Sequence, residues 1–438
     1  MITFDWRIPV IIAVMLYACL YYWLKSNKIL PHLFDFTGPC IMIKTEHVGI
    51  FDTLSRPKHF LKAYATTGII LTVISGIVVT IIFVVTAYLT VRVKPEPTAV
   101  QNLLLIPGIN DFIPSTVAVW VSLIFAMVIH EFGHGILSRV EGIKVKSTGI
   151  LTLLIPIGAF VEPNDEDVNG AKLGSKLRMF AAGITNNIVF GIFCLVILSC
   201  LIGMVVPGGH VCVVGVNENS PVVSSGLPEG FVIFDVNGVP VSTQEDLLRC
   251  LSETTAGDVV SLNGEYRGVQ QHYDILLSAK PSGRNITDNC RHLGISFIDS
   301  NHLLLFLERL THPDSISGFV SSSLIFVTLP FTTMTGSTAF SFLVSDVPDS
   351  AILKEPFLGF WGLVHLLFWS AWINILLGMF NAVPIRAFDG GQMLREFLGT
   401  LFKKRGKREE TANYICSAIS YVLIMLILLS ILLPYLFR

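Results

Sequence analysis

Charge is scarce in this chain: 14% of its 438 residues are Asp, Glu, Lys or Arg, where soluble domains carry about 25%. With 52% apolar residues and a mean hydropathy of +0.67, that scarcity excludes an ordinary water-soluble fold. An excess of positive charge is missing too. Lys plus Arg total 30 against 32 Asp plus Glu, so no chain-wide field exists to attract nucleic acid, and a nucleic-acid partner is excluded. The eight cysteines include no C-x-x-C pair, which excludes a dense disulfide framework and a cysteine-only zinc knuckle. Any metal must be sought among other side chains.

What is present is a series of apolar stretches. Six spans are expected, at about 8–24, 68–91, 112–137, 180–206, 356–380 and 414–437. The first is flanked by Arg7, Lys25 and Lys28 and lacks a small-residue cleavage site, so it reads as a retained span with Tyr21, Tyr22 and Trp23 as interfacial anchors. Basic residues gather between spans one and two (Lys25, Lys28, Lys44, Arg56, Lys58, Lys62), three and four (Arg139, Lys144, Lys146, Lys172, Lys176, Arg178) and five and six (Lys403, Lys404, Arg405, Lys407, Arg408). By the positive-inside rule these loops face the cytosol, and both termini and 207–355 lie outside.

Two segments are not ordinary connections. Gly149 to Val161 is apolar but broken by Pro156 and Gly158, which favours a membrane-dipping hairpin or re-entrant strand over a full helix. Ser315 to Phe331 reads as a buried segment, a surface-seated helix or a further span. Between them, Val211–Val216, Phe231–Val236 and Val259–Gly264 read as strands, and Ser242–Cys250 as a short helix that Thr243 caps. Cys194 and Cys200 read as small buried hydrophobes, His365 as a packed or interfacial histidine, and Cys212, Cys250 and Cys290 as the source of one outer disulfide. An Asn285-Ile286-Thr287 sequon is also present.

The third span contains His130-Glu131-Phe132-Gly133-His134. Histidines four apart share one helix face, so both imidazoles can reach one zinc while Glu131 addresses its water. An ionisable residue in hydrocarbon costs roughly 2.5 kcal/mol or more on insertion scales, which weighs against a merely structural polar cluster. Two histidines leave zinc one protein ligand short. Taken alone, Asp389 reads as a loop-end carboxylate or helix cap. It becomes the third-ligand candidate because span five, running inward, is interrupted at Asn381–Pro384 and leaves Asp389 on the same side as His134.

Both strings resemble the site-2 protease family of intramembrane zinc metalloproteases: HExxH at His130, Glu131 and His134, and NxxPxxxxDG at Asn381, Pro384, Asp389 and Gly390. The likeness extends to Gly158-Ala159-Phe160 and to Ala182, Gly183 and Asn187. It implies one zinc on His130, His134 and Asp389, Glu131 as the catalytic group, Asn187 and Asn381 as supports for the substrate backbone or oxyanion, and Gly158–Phe160 on a strand that pairs with substrate. The outer region, from Gly215-Val216 through Gly226 to Asn237-Gly238, resembles a circularly permuted PDZ module, which implies peptide or ectodomain contact.

The expected fold class is a polytopic α-helical membrane protein with a three-helix catalytic core, additional transmembrane helices and a small β-rich PDZ-like domain. The expected order is two spans and a loop (1–111), the first part of the core (112–206), the PDZ-like domain (207–280) and a linker or membrane-associated region (281–355). The second part of the core (356–400) and a basic turn with the last span (401–438) follow. The expected partners are membrane lipid and a transmembrane protein substrate, and a prokaryotic cell membrane fits the compact outer region. A zinc-regulated transporter or sensor would place ionisable groups along several spans, and a scaffold would leave Glu131 idle. Neither matches one compact cluster as well as a protease does.

Overall fold

The computed structural model describes the chain except for residues 1–6, 28–29, 31–32, 104–105, 218–219, 256, 267, 278–292, 313, 333–351, 407–409 and 438, with backbone alone at 7–11, 155 and 221. Lys28, Lys407, Arg408, Asn285 and Cys290, all named above, lie outside the described residues. The chain divides into two compact units.

The first unit comprises Met1–Thr98, Leu123–Gly191 and Ile373–Arg438. Helix α1 is Arg7–Ser26, followed by strands β1 (Phe34–Thr37) and β2 (Cys40–Thr45) and by helix α2 (Lys58–Val93). Helix α3 (Val117–Val140) leads into strands β3 (Val145–Leu153) and β4 (Ile155–Pro163) and helix α4 (Leu173–Ile202). Helix α5 (Phe360–Asn381) re-enters this unit at Ile373, and α6 (Asp389–Lys404) and α7 (Glu410–Leu436) follow.

Five of these helices, α2, α3, α4, α5 and α7, are long and apolar enough to cross a membrane. Ile- and Val-rich runs hold a helix here because in lipid every backbone group must be satisfied within its own segment. Apolar side chains on α2 and α7, among them Ile70, Ile77, Tyr421 and Met425, are exposed accordingly. More than half of the apolar window of α5 is buried, as befits a helix with no polar face. The first expected span forms α1, but its described apolar part, Ile12–Ser26, is shorter than a crossing.

The Gly149–Val161 hairpin is present as β3 and β4, reversing at Leu154 with φ 65°. It belongs to a four-stranded antiparallel sheet in the order β1-β2-β3-β4, where Lys44 pairs with Gly149 and Phe160 with Gly149 from the other side. Strands β1 and β2 come from a region expected only as a basic loop. The Tyr17 hydroxyl of α1 lies 2.8 and 3.0 Å from the carbonyls of Pro39 and Thr152, tying that helix to the sheet. The described sheet has β1 at one edge and β4 at the other.

The second unit comprises Ala99–Ser122 and Ile192–Trp372. Strands β5 (Val211–Val216), β6 (Val232–Val236), β7 (Val259–Tyr266), β8 (Val269–Leu276) and β9 (Ile295–Asp299) form a sheet in the order β8-β7-β6-β5-β9, with Val239–Pro240 beside β6. Alternating residues such as Val211, Val213, Ile233, Leu262 and Ile275 meet Phe231 and Leu247 in its core. Helix Gln244–Ser252 starts with a capping box between Thr243 and Asp246. The sheet takes its last strand from beyond residue 280. The Ser315–Phe331 segment forms most of helix Ile316–Thr332, bent by 107° from Ser300–Thr311, so among the described residues five helices are long and apolar enough to cross, or six candidates if this pair is one broken span.

Cys212 and Cys250 are unbridged, and no disulfide occurs among the described residues. Cys194 and His365 are buried, but Cys200 is exposed, because it falls on an outward face near the end of α4. There a small apolar thiol is as well accommodated by lipid as by a core.

Candidate metal centre

Two turns from its C-terminal end, α3 turns His130 and His134 to one side, with His130 buried. The α5 helix stops at Asn381, and Ala382 to Phe388 form a short break before α6 begins at Asp389. Pro384 lacks an N–H and cannot continue the helical ladder, so the chain turns back here. Gly390 lets it turn tightly: a Cβ there would lie 2.1 Å from the Ala382 carbonyl oxygen. The carboxylate of Asp389 is thereby delivered to the histidines.

Asp389 Oδ2 lies 2.9 Å from His130 Nε2 and 3.2 Å from His134 Nε2, and the two Nε2 atoms are 3.2 Å apart. Ligand atoms of a tetrahedral zinc at 2.0–2.1 Å stand about 3.3 Å from one another. Two imidazole nitrogens and one carboxylate oxygen at these separations fit such an ion, and they leave a fourth position open. His130, His134 and Asp389 form the one three-residue cluster of metal-binding side chains found among the described residues.

The neighbours of the cluster orient it. His134 Nδ1 lies 2.8 Å from the Met179 carbonyl. A carbonyl only accepts, so Nδ1 carries the proton and Nε2 keeps its lone pair for a metal. Helix α4 lies against both rings through Gly183, where a Cβ would sit 2.6 Å from His134 Nε2 and 2.8 Å from His130 Nε2. Gly133 on α3 allows the approach, since a Cβ there would meet the Ala182 carbonyl at 2.7 Å. Asn186 accepts from the Tyr64 hydroxyl at 2.9 Å and donates to the Ile129 carbonyl at 3.3 Å, bracing the helix one residue before His130.

Glu131 accepts from the Val161 N–H of β4 at 2.9 Å. That contact joins the metal helix to the sheet edge that carries Gly158, Ala159 and Phe160. Asn187 is fully buried beside Gly378, and neither atom of its amide has a hydrogen-bond partner among the described residues. Asn381 instead donates to the Leu377 carbonyl of its own helix at 3.0 Å. The Met179 carbonyl and the Val161 N–H were not readable in advance, because backbone groups carry no residue-type signal.

Two turns beyond the cluster, just past α3 and within α6, the carboxylates are paired. Glu141, just past α3, accepts from Arg178 at 2.7 and 3.0 Å and from Ser175 at 2.6 Å, with Lys62 at 3.8 Å. Burial alone would raise its carboxyl, but Arg178, Ser175 and Lys62 hold it below the usual carboxylate range. Glu396 of α6 accepts from Lys176 at 2.9 Å and Arg395 at 3.0 Å, which likewise outweigh burial and lower it.

A bundle of apolar helices enclosing a His-His-Asp cluster with an adjacent glutamate defines the class: an integral membrane protein with a metal-hydrolase-type centre. Comparison with known proteins narrows this. The sequence profile of Peptidase family M50 matches residues 118–427, and the chain belongs to that family. An uncharacterized protein of Methanocaldococcus jannaschii is 24% identical over 317 residues, 72% of this chain and 65% of the relative. Zinc metalloprotease RasP of Shouchella clausii is 25% identical over 244 residues, 54% of each chain. A Streptococcus pyogenes protein provisionally described as a zinc metalloprotease is 24% identical over 275 residues, 61% of each. The chain therefore spans less than two thirds of the length of these relatives.

Proposed function

We propose that this protein is a zinc-dependent endopeptidase that hydrolyses peptide bonds within or near the membrane-spanning segments of other membrane proteins. The observation that carries the reading is the convergence of His130, His134 and Asp389, 259 positions apart in sequence at the widest, beside Glu131 in an apolar unit. Membership of Peptidase family M50 and relatives named as zinc metalloproteases support it. When bound, zinc supplies the Lewis acidity that polarises a scissile carbonyl and makes water a nucleophile near neutral pH.

Glu131 accepts the water proton and passes it to the leaving amine. The Val161 N–H holds its carboxylate for that task. A helical substrate shields its carbonyls in its own hydrogen bonds, so the target segment must open, and the edge of β4 offers it a strand to pair with. Gly158 lies opposite Leu151, Ala159 opposite Ile150, Phe160 opposite Gly149 and Val161 opposite Thr148. Because the Val161 N–H turns to Glu131, the alternation of an antiparallel ladder turns the backbone groups of Ala159 the same way. Ala159 is thus the member of the Gly158–Phe160 trio whose N–H and C=O meet the substrate. The unpartnered amide of Asn187 supplies a further contact to the opened backbone or oxyanion, a part its own-helix bond makes harder for Asn381.

The basic residues at Arg139, Lys144, Lys146, Lys172, Lys176 and Arg178 support a cytosolic location for this end of the bundle, which puts the β5–β9 body outside the cytosol. There it acts as a PDZ-like cap that meets the ectodomain of the substrate. The test is cleavage of a membrane-embedded reporter by the purified chain. Glu131→Gln is expected to retain zinc and lose cleavage, and undiminished cleavage by that variant overturns the role of Glu131.

A further inference from the structure

The two helices that supply metal ligands carry the same arrangement beyond the site. Glu141 follows His134 by seven positions, and Glu396 follows Asp389 by seven. Seven residues are close to two helical turns, about 10 Å of rise, so Glu396 lies on the side of α6 that bears Asp389, and Glu141, in the turn after α3 but still bonded from its N–H to the Leu137 carbonyl at 3.0 Å, continues the His134 side. Both are sheltered, with side chains 3% and 18% exposed. Both are held by the first turns of α4: Arg178 makes a two-pronged bond to Glu141, and Lys176 bonds Glu396 at 2.9 Å. The residue after Arg178 is Met179, whose carbonyl fixes the tautomer of His134.

From this repetition the geometry points to Lys176 and Arg178 as a pair of positioning residues that set the distance between Asp389 and the two histidines. The inference rests on the reading of these three residues as metal ligands. Helix α4 acts as a strut. Arg178 locks it to the histidine helix, Lys176 locks it to the aspartate helix, and the third ligand is held 2.9 to 3.2 Å from the first two even though it arrives on a separate helix after a break. The α3 histidines share one rigid helix and need no such aid, whereas Asp389 stands at the first position of α6, a separate helix that the Lys176–Glu396 pair ties to α4. Arg395 also reaches Glu396, but it belongs to α6 itself and joins it to no other helix.

A pair that merely glues helices would affect unfolding and leave metal affinity alone. A positioning pair changes metal affinity in the folded chain. Groups that orient ligands from behind typically alter affinity 10- to 100-fold when removed. The experiment is a competition titration of zinc against a chelator with the full chain in detergent or lipid discs, with helix content recorded by circular dichroism and the site geometry by the cobalt(II) absorption spectrum. Lys176→Met and Glu396→Gln are each expected to bind zinc 10- to 100-fold more weakly with unchanged helix content and an altered cobalt spectrum. Exchange of the charges in Lys176→Glu with Glu396→Lys is expected to recover most of the affinity. Wild-type affinity in both single variants overturns the positioning role while leaving the metal site intact. A wild-type chain that binds no zinc overturns the functional reading instead, and the positioning role with it.

Discussion

Substitution of Gly183 by alanine tests how closely the metal centre depends on the approach of α4. The added Cβ would lie 2.6 Å from His134 Nε2 and 2.8 Å from both Cε1 and Nε2 of His130. Ordinary contact begins near 3.4 Å, so the nearer ring or the helix must give by about 0.8 Å. Overpacking of this kind costs about 1–3 kcal/mol, and replacing a helical glycine with alanine returns up to about 1 kcal/mol. The net loss of about 3 kcal/mol or less leaves the chain folded. The displacement falls on the ligand nitrogens themselves, so zinc affinity is expected to fall by 10-fold or more. Gly362→Ala on α5 is the control, because a Cβ there would meet nothing within 4 Å. Chelator-competition titration measures both. Equal zinc affinity for Gly183→Ala and the wild type would refute the reasoning.

Other predictions follow from particular groups. Asn187→Leu removes a buried amide with no hydrogen-bond partner among the described residues, so thermal denaturation should show a stability gain of about 1 kcal/mol or more, while reporter cleavage should fall at least tenfold; undiminished cleavage removes Asn187 from substrate binding. Glu141 and Glu396 are depressed in the folded chain. The unfolded chain therefore takes up their protons first, and the stability they contribute is complete above the ordinary Glu value of about 4.3 and is lost as pH falls through the lowered folded values. Thermal midpoints measured from pH 6 down to pH 3 should drop less steeply in Glu141→Gln with Glu396→Gln than in the wild type, and parallel curves would contradict the pairing. Val161→Pro deletes the N–H that holds Glu131, and is expected to reduce cleavage far more than zinc binding; equal losses in both assays would show that the strand acts on the metal instead.

The legible part of this fold was its solvent. Long charge-free runs announce helices α2 to α5 and α7 because lipid leaves a chain few other ways to satisfy its backbone. The convergence of the candidate metal-binding side chains was legible too, since two histidines at helical spacing demand a third partner and Asp389 follows a proline break. What escaped was anything that depends on backbone direction or on pairing across distance. Strands β1 and β2 are short and flanked by lysines, and only their union with β3 and β4 makes them a sheet. Lys176 and Arg178 read as a basic cluster that sets topology, and their side chains in fact turn inward to Glu396 and Glu141. A charge count gives the side of the membrane and cannot give the partner.

Zinc K-edge absorption spectroscopy of the purified chain bears most directly on the central claim. The account predicts one zinc per chain with two imidazole nitrogens and a carboxylate oxygen at about 2.0–2.2 Å, and loss of that oxygen with weakened binding in Asp389→Asn. A spectrum unchanged by Asp389→Asn, or one showing sulfur ligation, would contradict it.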